Sequence, residues 1–172
     1  MKAACFLGAL LLAWPAASDP ATADATWDPT TARRIDLSLS AFTATPERFG
    51  ACIGYHPTSP LEWDGCASGD RAFRTVTSHL FYRAQWTPGG FLLGLGPGLG
   101  VRAMLYCPFK VCGVSAGPEA LVSFEAVKWI RDGLGISLQA DAGFALYWTS
   151  PTPGLIVHGW RLPARLLAGV TF

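Results

Sequence analysis

The chain has 172 residues, enough for one domain with a sizeable core or one small closed barrel. It is 51% apolar and only 15% charged, with a mean hydropathy of +0.31, where soluble domains carry about a quarter charged residues; part of its surface is therefore expected to face something other than water. A net charge of +1 with no Lys/Arg run supplies no field for a polyanion, which excludes nucleic acid as a partner.

The chain opens with Lys2, an apolar run from Ala3 to Trp14, then small residues to Ala23. That is the pattern of a secretory signal peptide, assigned here to residues 1–23, with residues 24–172 as the mature domain. The apolar run is too short for a spanning helix, and no later stretch is longer, so any membrane crossing has to be made by strands. Once Cys5 is set aside with the signal, Cys52, Cys66, Cys107 and Cys112 remain in an exported chain, where disulfides are the expected state. Three connectivities exist, and the sequence-adjacent pairs, Cys52 with Cys66 and Cys107 with Cys112, are preferred, each as a staple of one connection. Their spacings are weak for zinc, and no metal or cofactor is expected.

From Arg34 the pattern becomes a period of two. Ile35, Leu37, Leu39 and Ala41 oppose Arg34, Asp36, Ser38 and Ser40, which marks a strand with one apolar face. Residues 49–70, with Pro57, Pro60, four glycines and two cysteines, read either as one pinned surface loop or as two short strands over 49–56 and 61–67. Alternation returns over 71–87, with Val76, Leu80, Tyr82, Ala84 and Trp86 against Thr75, Thr77, His79, Arg83 and Gln85, and Phe81 as the large apolar residue on the polar side. Pro88-Gly89-Gly90 predicts a tight turn.

Over 91–106 the apolar face meets a face of Gly94, Gly96, Gly98, Gly100 and Arg102, and four glycines on one side predict room for something bulky across a narrow interior. Their period of two, with no helix after them, is not that of a phosphate-binding loop. Two further alternating strands follow on either side of a turn at Arg131-Asp132-Gly133. The last strand runs LIVHGWRLPARLLAGVTF, with Leu162, Ala164, Leu166, Ala168, Val170 and Phe172 on one side and Arg161 and Arg165 on the other.

That closing strand, apolar at alternate positions and ending on Phe172, resembles the last strand of the transmembrane β-barrels of diderm outer membranes. In that family the terminal aromatic is the signal read by the barrel-assembly machinery. The resemblance implies a closed antiparallel up-and-down barrel with apolar residues toward outer-membrane lipid and polar residues inward. Six strands read directly, and 49–67 supplies the two that complete eight, the smallest usual number. Placing Phe172 at the periplasmic end puts the two short turns there and the cysteine-bearing connections outside. Trp86, Trp129 and Phe172 are then expected in the periplasmic aromatic girdle, with Trp148 and Trp160 in the outer one.

By parity the lumen receives Asp36, Arg83, Arg102, Glu119, Glu125, Asp141, Arg161 and Arg165. Four acids balance four arginines, and an interior this narrow is expected to be a salt-bridged plug rather than a pore. The expected function is an integral outer-membrane protein with a structural or surface-interaction role, a loop ligand unspecified, and no catalysis. Two alternatives remain. A secreted soluble barrel binding an apolar ligand needs its apolar face inward. A lipid-modifying barrel enzyme needs a His with Ser and an acid at the rim, for which His79 beside Ser78 and His158 near Ser150 are the candidates, neither in a recognisable motif.

Overall fold

The computed structural model describes residues 33–42, 48–58, 60–69, 73–106, 112–152 and 155–172, excluding the side chains of 58, 150–152 and 155–157. The expected signal segment 1–23 lies outside these. Ten strand segments follow one another: β1 (Arg34–Phe42), β2 (Phe49–Thr58), β3 (Leu61–Gly69), β4 (Phe73–Tyr82), β5 (Ala84–Trp86), β6 (Phe91–Tyr106), β7 (Gly113–Arg131), β8 (Leu134–Thr152), β9 (Leu155–Arg161) and β10 (Ala164–Thr171). Each pairs antiparallel with its neighbours, and β10 returns to pair with β1 from Asp36↔Thr171 to Phe42↔Arg165. Ile35 and Phe172 exchange both backbone hydrogen bonds, at 3.0 and 2.9 Å, so the sheet closes with no free edge at this seam.

The ten segments make eight barrel strands, because β4 with β5 and β9 with β10 are each one strand with a short interruption. The first break falls at Arg83, whose backbone N–H leaves the ladder to donate to the carbonyl of Pro60 at 2.9 Å. The second falls at Leu162-Pro163. Proline has no N–H to offer, and its carbonyl accepts instead from Gly143 N–H at 3.1 Å. Residues 49–69, ambiguous in sequence, form the hairpin β2–β3. Segments β1 to β4 run 9 or 10 residues, so that β2 and β3 are a little longer than the short strands expected over 49–56 and 61–67, and β6, β7 and β8 run 16 to 19.

Three turns lie at the end where Phe172 stops. Pro88–Gly90 forms a single 3-10 turn, and Gly133 holds a left-handed φ of 72° that a side chain would oppose. The turn around Pro60 is the third. It sits between Cys52 and Cys66, so that cysteine-bearing connection belongs to the short-turn end, not to the opposite end where it was expected. The cysteines themselves are not in the connection: they pair across β2 and β3, midway along the hairpin, on the inward face.

The faces are inverted relative to a soluble protein. Leu39, Val76, Leu99, Val101 and Val122 stand 58–72% exposed on the outside, while Arg34, Arg83, Glu119, Glu125 and Ser123 are at most 2% exposed within. Trp86, Trp148, Trp160 and Phe172 are exposed on the outer surface. Trp129 departs from expectation: it shares the inward parity of Glu125 and Val127 and is half-buried, and its neighbour Ile130, 63% exposed, takes the outward place.

Candidate functional site

The interior is filled from neighbouring strands, and the glycines of β6 explain how. Gly98 lies directly opposite Phe81, and Gly100 opposite His79. A β-carbon on Gly98 would stand 2.2 Å from the Phe81 ring, and one on Gly100 would stand 2.3 Å from the His79 ring. The bulk anticipated across the lumen is therefore the inward side chains of β4, which lie over the bare β6 backbone.

Two layers of charge result. Nearer the short turns, Arg34 Nη2 donates to Glu125 Oε2 at 3.1 Å and to His56 Nδ1 at 2.7 Å. Arg83 donates to the same Glu125 oxygen at 3.2 Å, to Ser123 Oγ at 2.7 Å, and pairs with Glu62. His56 Nε2 bonds Asp36. In the middle of the barrel, His79 stands between Asp64, 2.9 Å from Nδ1, and Glu119, 2.8 Å from Nε2. Arg102 pairs with Glu119, and Arg165 bridges Asp141 at 2.5 Å and Asp64. Phe81, fully buried, separates the layers, with the Arg83 guanidinium 4.6 Å from its centroid and the His79 ring at 5.8 Å.

Nδ1 of His56 faces Arg34 and its Nε2 faces Asp36, while His79 has a carboxylate oxygen at each ring nitrogen. Six buried carboxylates thus share the interior with the buried Arg34, Arg83, Arg102, Arg165 and His79, and with Arg161. Arg161 is half-buried, with its guanidinium 5.3 Å from the Tyr147 centroid, beside the same gap as Arg102 and Glu119.

Of the eight residues expected to line the lumen, Asp36, Arg83, Arg102, Glu119, Glu125, Asp141 and Arg165 are thus buried in the two layers and Arg161 lies half-buried beside them. Sequence reasoning left out Arg34, His56, Glu62, Asp64 and His79 from this group. For His56, Glu62 and Asp64 parity carried the signal, since even-numbered 52 to 56 and 62 to 66 oppose Ile53, Tyr55, Leu61 and Trp63, but glycine and cysteine at alternate places hide it, whereas Arg34 and His79 stand on faces that already read as polar.

Asp36, His56 and Glu62 bring ligand atoms within 4.8 Å of one another, a set of the kind a cation takes. Here His56 Nε2 already bonds Asp36 and Glu62 is already paired with Arg83, so the three side chains are satisfied by one another and by the arginines. These residues do not fit a metal as arranged.

The candidate catalytic pairings are not assembled. Ser78 is on the outer side, accepting from Trp63 Nε1 at 2.9 Å, whereas His79 is buried inside. His158 is exposed, edge-on to Trp148 at 6.4 Å, and the Ser150 side chain lies outside the described residues. The middle of the barrel is lined by charged side chains rather than by the apolar face that a soluble ligand-binding barrel would turn inward.

Cys52 and Cys66 are disulfide-bonded, as the sequence-adjacent pairing requires. Cys112 also carries a disulfide, and Cys107 lies outside the described residues. At the end away from the short turns the lumen widens into an open cavity of about 290 Å³ lined by Phe73, Met104, Tyr106, Val114, Ser115 and Thr149.

A closed eight-stranded antiparallel barrel, apolar outside and packed with paired charges inside, has the architecture of the small outer-membrane β-barrels. The solved structures it is similar to are of that kind. The N-terminal β-barrel domain of Pseudomonas aeruginosa OprF is 13% identical with a TM-score of 0.52, over 81% of this chain and 97% of that one. Neisserial surface protein A is 13% identical with a TM-score of 0.52, over 81% of this chain and 94% of that one. At this identity the likeness is one of fold. The chain matches no protein-family model and no curated protein.

Proposed function

We propose that this chain is an integral outer-membrane protein, exported by its N-terminal signal, that crosses the bilayer as an eight-stranded barrel and has a structural or surface-interaction role without chemistry of its own. The observation that carries the reading is the exterior. Large apolar side chains stand exposed on every strand from β1 to β10 except the short β9 and β5, where Trp160 and Trp86 take that place. In water such a surface invites aggregation, while in a bilayer it is the lipid contact.

The lumen supports a plug rather than a channel. Charges from β1, β2, β3, β4, β6, β7, β8 and β10 meet across it, and the gap between Phe42, Arg102, Glu119 and Arg165 has no volume for water, about 0 Å³. Partners are then sought at the surface: outer-membrane lipid around the belt, the assembly machinery at Phe172 during insertion, and an unidentified ligand at the loop end, where the open cavity lies.

The test is fractionation of cells making the full-length chain and a version lacking Phe172, run on gels heated and unheated. The reading predicts an outer-membrane band that shifts mobility on heating and is strongly reduced without Phe172. A soluble exported protein with no heat shift contradicts it.

A further inference from the structure

We propose that the Cys52–Cys66 disulfide is made by thiol–disulfide exchange on the exported chain before β10 closes the barrel, and that the finished barrel only inherits it. The bond needs little of the fold. Cys52 of β2 lies directly opposite Cys66 of β3, 14 residues on, with Cα atoms 4.0 Å apart, so one local hairpin turning at Pro60 brings the thiols together.

Its cover needs the whole barrel. Cys52 and Cys66 are 7% and 4% exposed, and the last strand supplies residues that cover them: Leu167 forms one buried cluster with the pair, and Arg165 Nη1 lies 2.9 Å from Cys66 Sγ. Arg165 is itself fixed by Asp141 and Asp64.

Exchange consumes one external disulfide, of a small molecule or an oxidoreductase. One cysteine thiolate attacks it to form a mixed disulfide, and the second thiolate then displaces the external thiol. The cysteines lose two electrons and two protons, and the external disulfide leaves as two thiols. The mixed disulfide requires the external group to sit against Cys52 or Cys66. In the closed barrel that place is filled by Leu167 and Arg165, beside a gap too narrow for water. The oxidant therefore has access only while β10 is away.

There is a consequence for assembly. The β2–β3 ladder changes register between Tyr55 and Thr58, beside Pro57 and Pro60. With β2 held by β1, a slip of one residue in β3 would send Trp63 inward and Glu62 and Asp64 outward. A bond made early fixes this register before the lumen charges have partners. Only the closed barrel is needed for this, not its location in a membrane.

The test is a pulse-chase of the full-length chain carrying Cys107→Ser and Cys112→Ser. Each time point is split, one half run unheated to measure the folded fraction, the other denatured and alkylated with a polyethylene-glycol maleimide to count free thiols. The expected result is that the oxidised fraction rises first and the folded fraction never exceeds it. Folded barrel that appears with free thiols and oxidises later overturns the proposal. Should that variant fail to fold, the same chase on the unaltered chain, with the bond located by peptide mapping, decides equally. As a second measurement, protein reduced in denaturant is given oxidised glutathione before or after refolding in detergent. Exchange is expected to be more than about tenfold slower after folding; equal rates overturn the proposal.

Discussion

Phe81 rests on the backbone of Gly98: the two are paired directly across β4 and β6, and a β-carbon on Gly98 would reach within 2.2 Å of Phe81 Cδ1. Gly98→Ala is therefore expected to destabilise the barrel by about 1–3 kcal/mol through overpacking. In a Phe81→Ala background the same change is expected to cost less than about 0.5 kcal/mol, because the obstacle is gone. Urea unfolding of the four proteins in detergent measures the coupling, and additive effects would contradict this packing.

That pair also shows what the sequence makes legible. The run of alternate glycines opposite Leu93, Leu95, Leu99 and Val101 announced a strand and space on its inner face, yet nothing local says that Phe81, His79 and Arg83 fill the space. The register between two strands decides it. Alternation, the turns at Pro88–Gly90 and Asp132-Gly133, and the closing strand were readable because each repeats a local rule. The β2–β3 hairpin was not, since Gly50, Gly54 and Gly65 declare neither face and Pro57 with Pro60 mimics a loop. Cys52 and Cys66 were read as a staple in a connection, but they share the inward parity of His56 and Glu62. For the same reason His56 and Glu62, which belong to the charge layer near the short turns, are hidden in the sequence.

Glu125, 1% exposed, holds Arg34 and Arg83 apart. Glu125→Gln keeps the shape and removes the charge between two buried guanidinium groups, and an unfolding cost of about 3–5 kcal/mol is expected. Asp132→Asn, at an exposed turn, is expected to stay within about 0.5 kcal/mol. Equal effects in urea unfolding would mean that the layer does not hold the lumen together.

Leu99, 70% exposed midway along β6, lies at the centre of the surface that the proposed membrane reading turns toward lipid. Leu99→Arg is expected to cost about 2–4 kcal/mol in vesicles, and Ile130→Arg, next to the short turn, about 0–1 kcal/mol. Equilibrium unfolding from lipid vesicles reads both. A barrel that lives in water would tolerate the two alike.

A lumen crossed by two paired layers, with no room for water beside Arg102 and Arg165, is expected to pass no steady ion current. Purified protein inserted into planar bilayers should leave the baseline free of stepwise openings. Reproducible unitary conductance would turn the plug into a gate.

The most direct test of the inverted faces is accessibility measured on single nitroxide labels at Leu39, Val76, Leu99 and Val122, introduced as cysteines into the chain lacking Cys107 and Cys112 and reconstituted in vesicles. The account predicts labels that lipid-soluble oxygen reaches readily and a water-soluble nickel chelate does not. Free access of the nickel chelate at Leu99 and Val122 would place that surface in water and contradict the membrane-spanning reading.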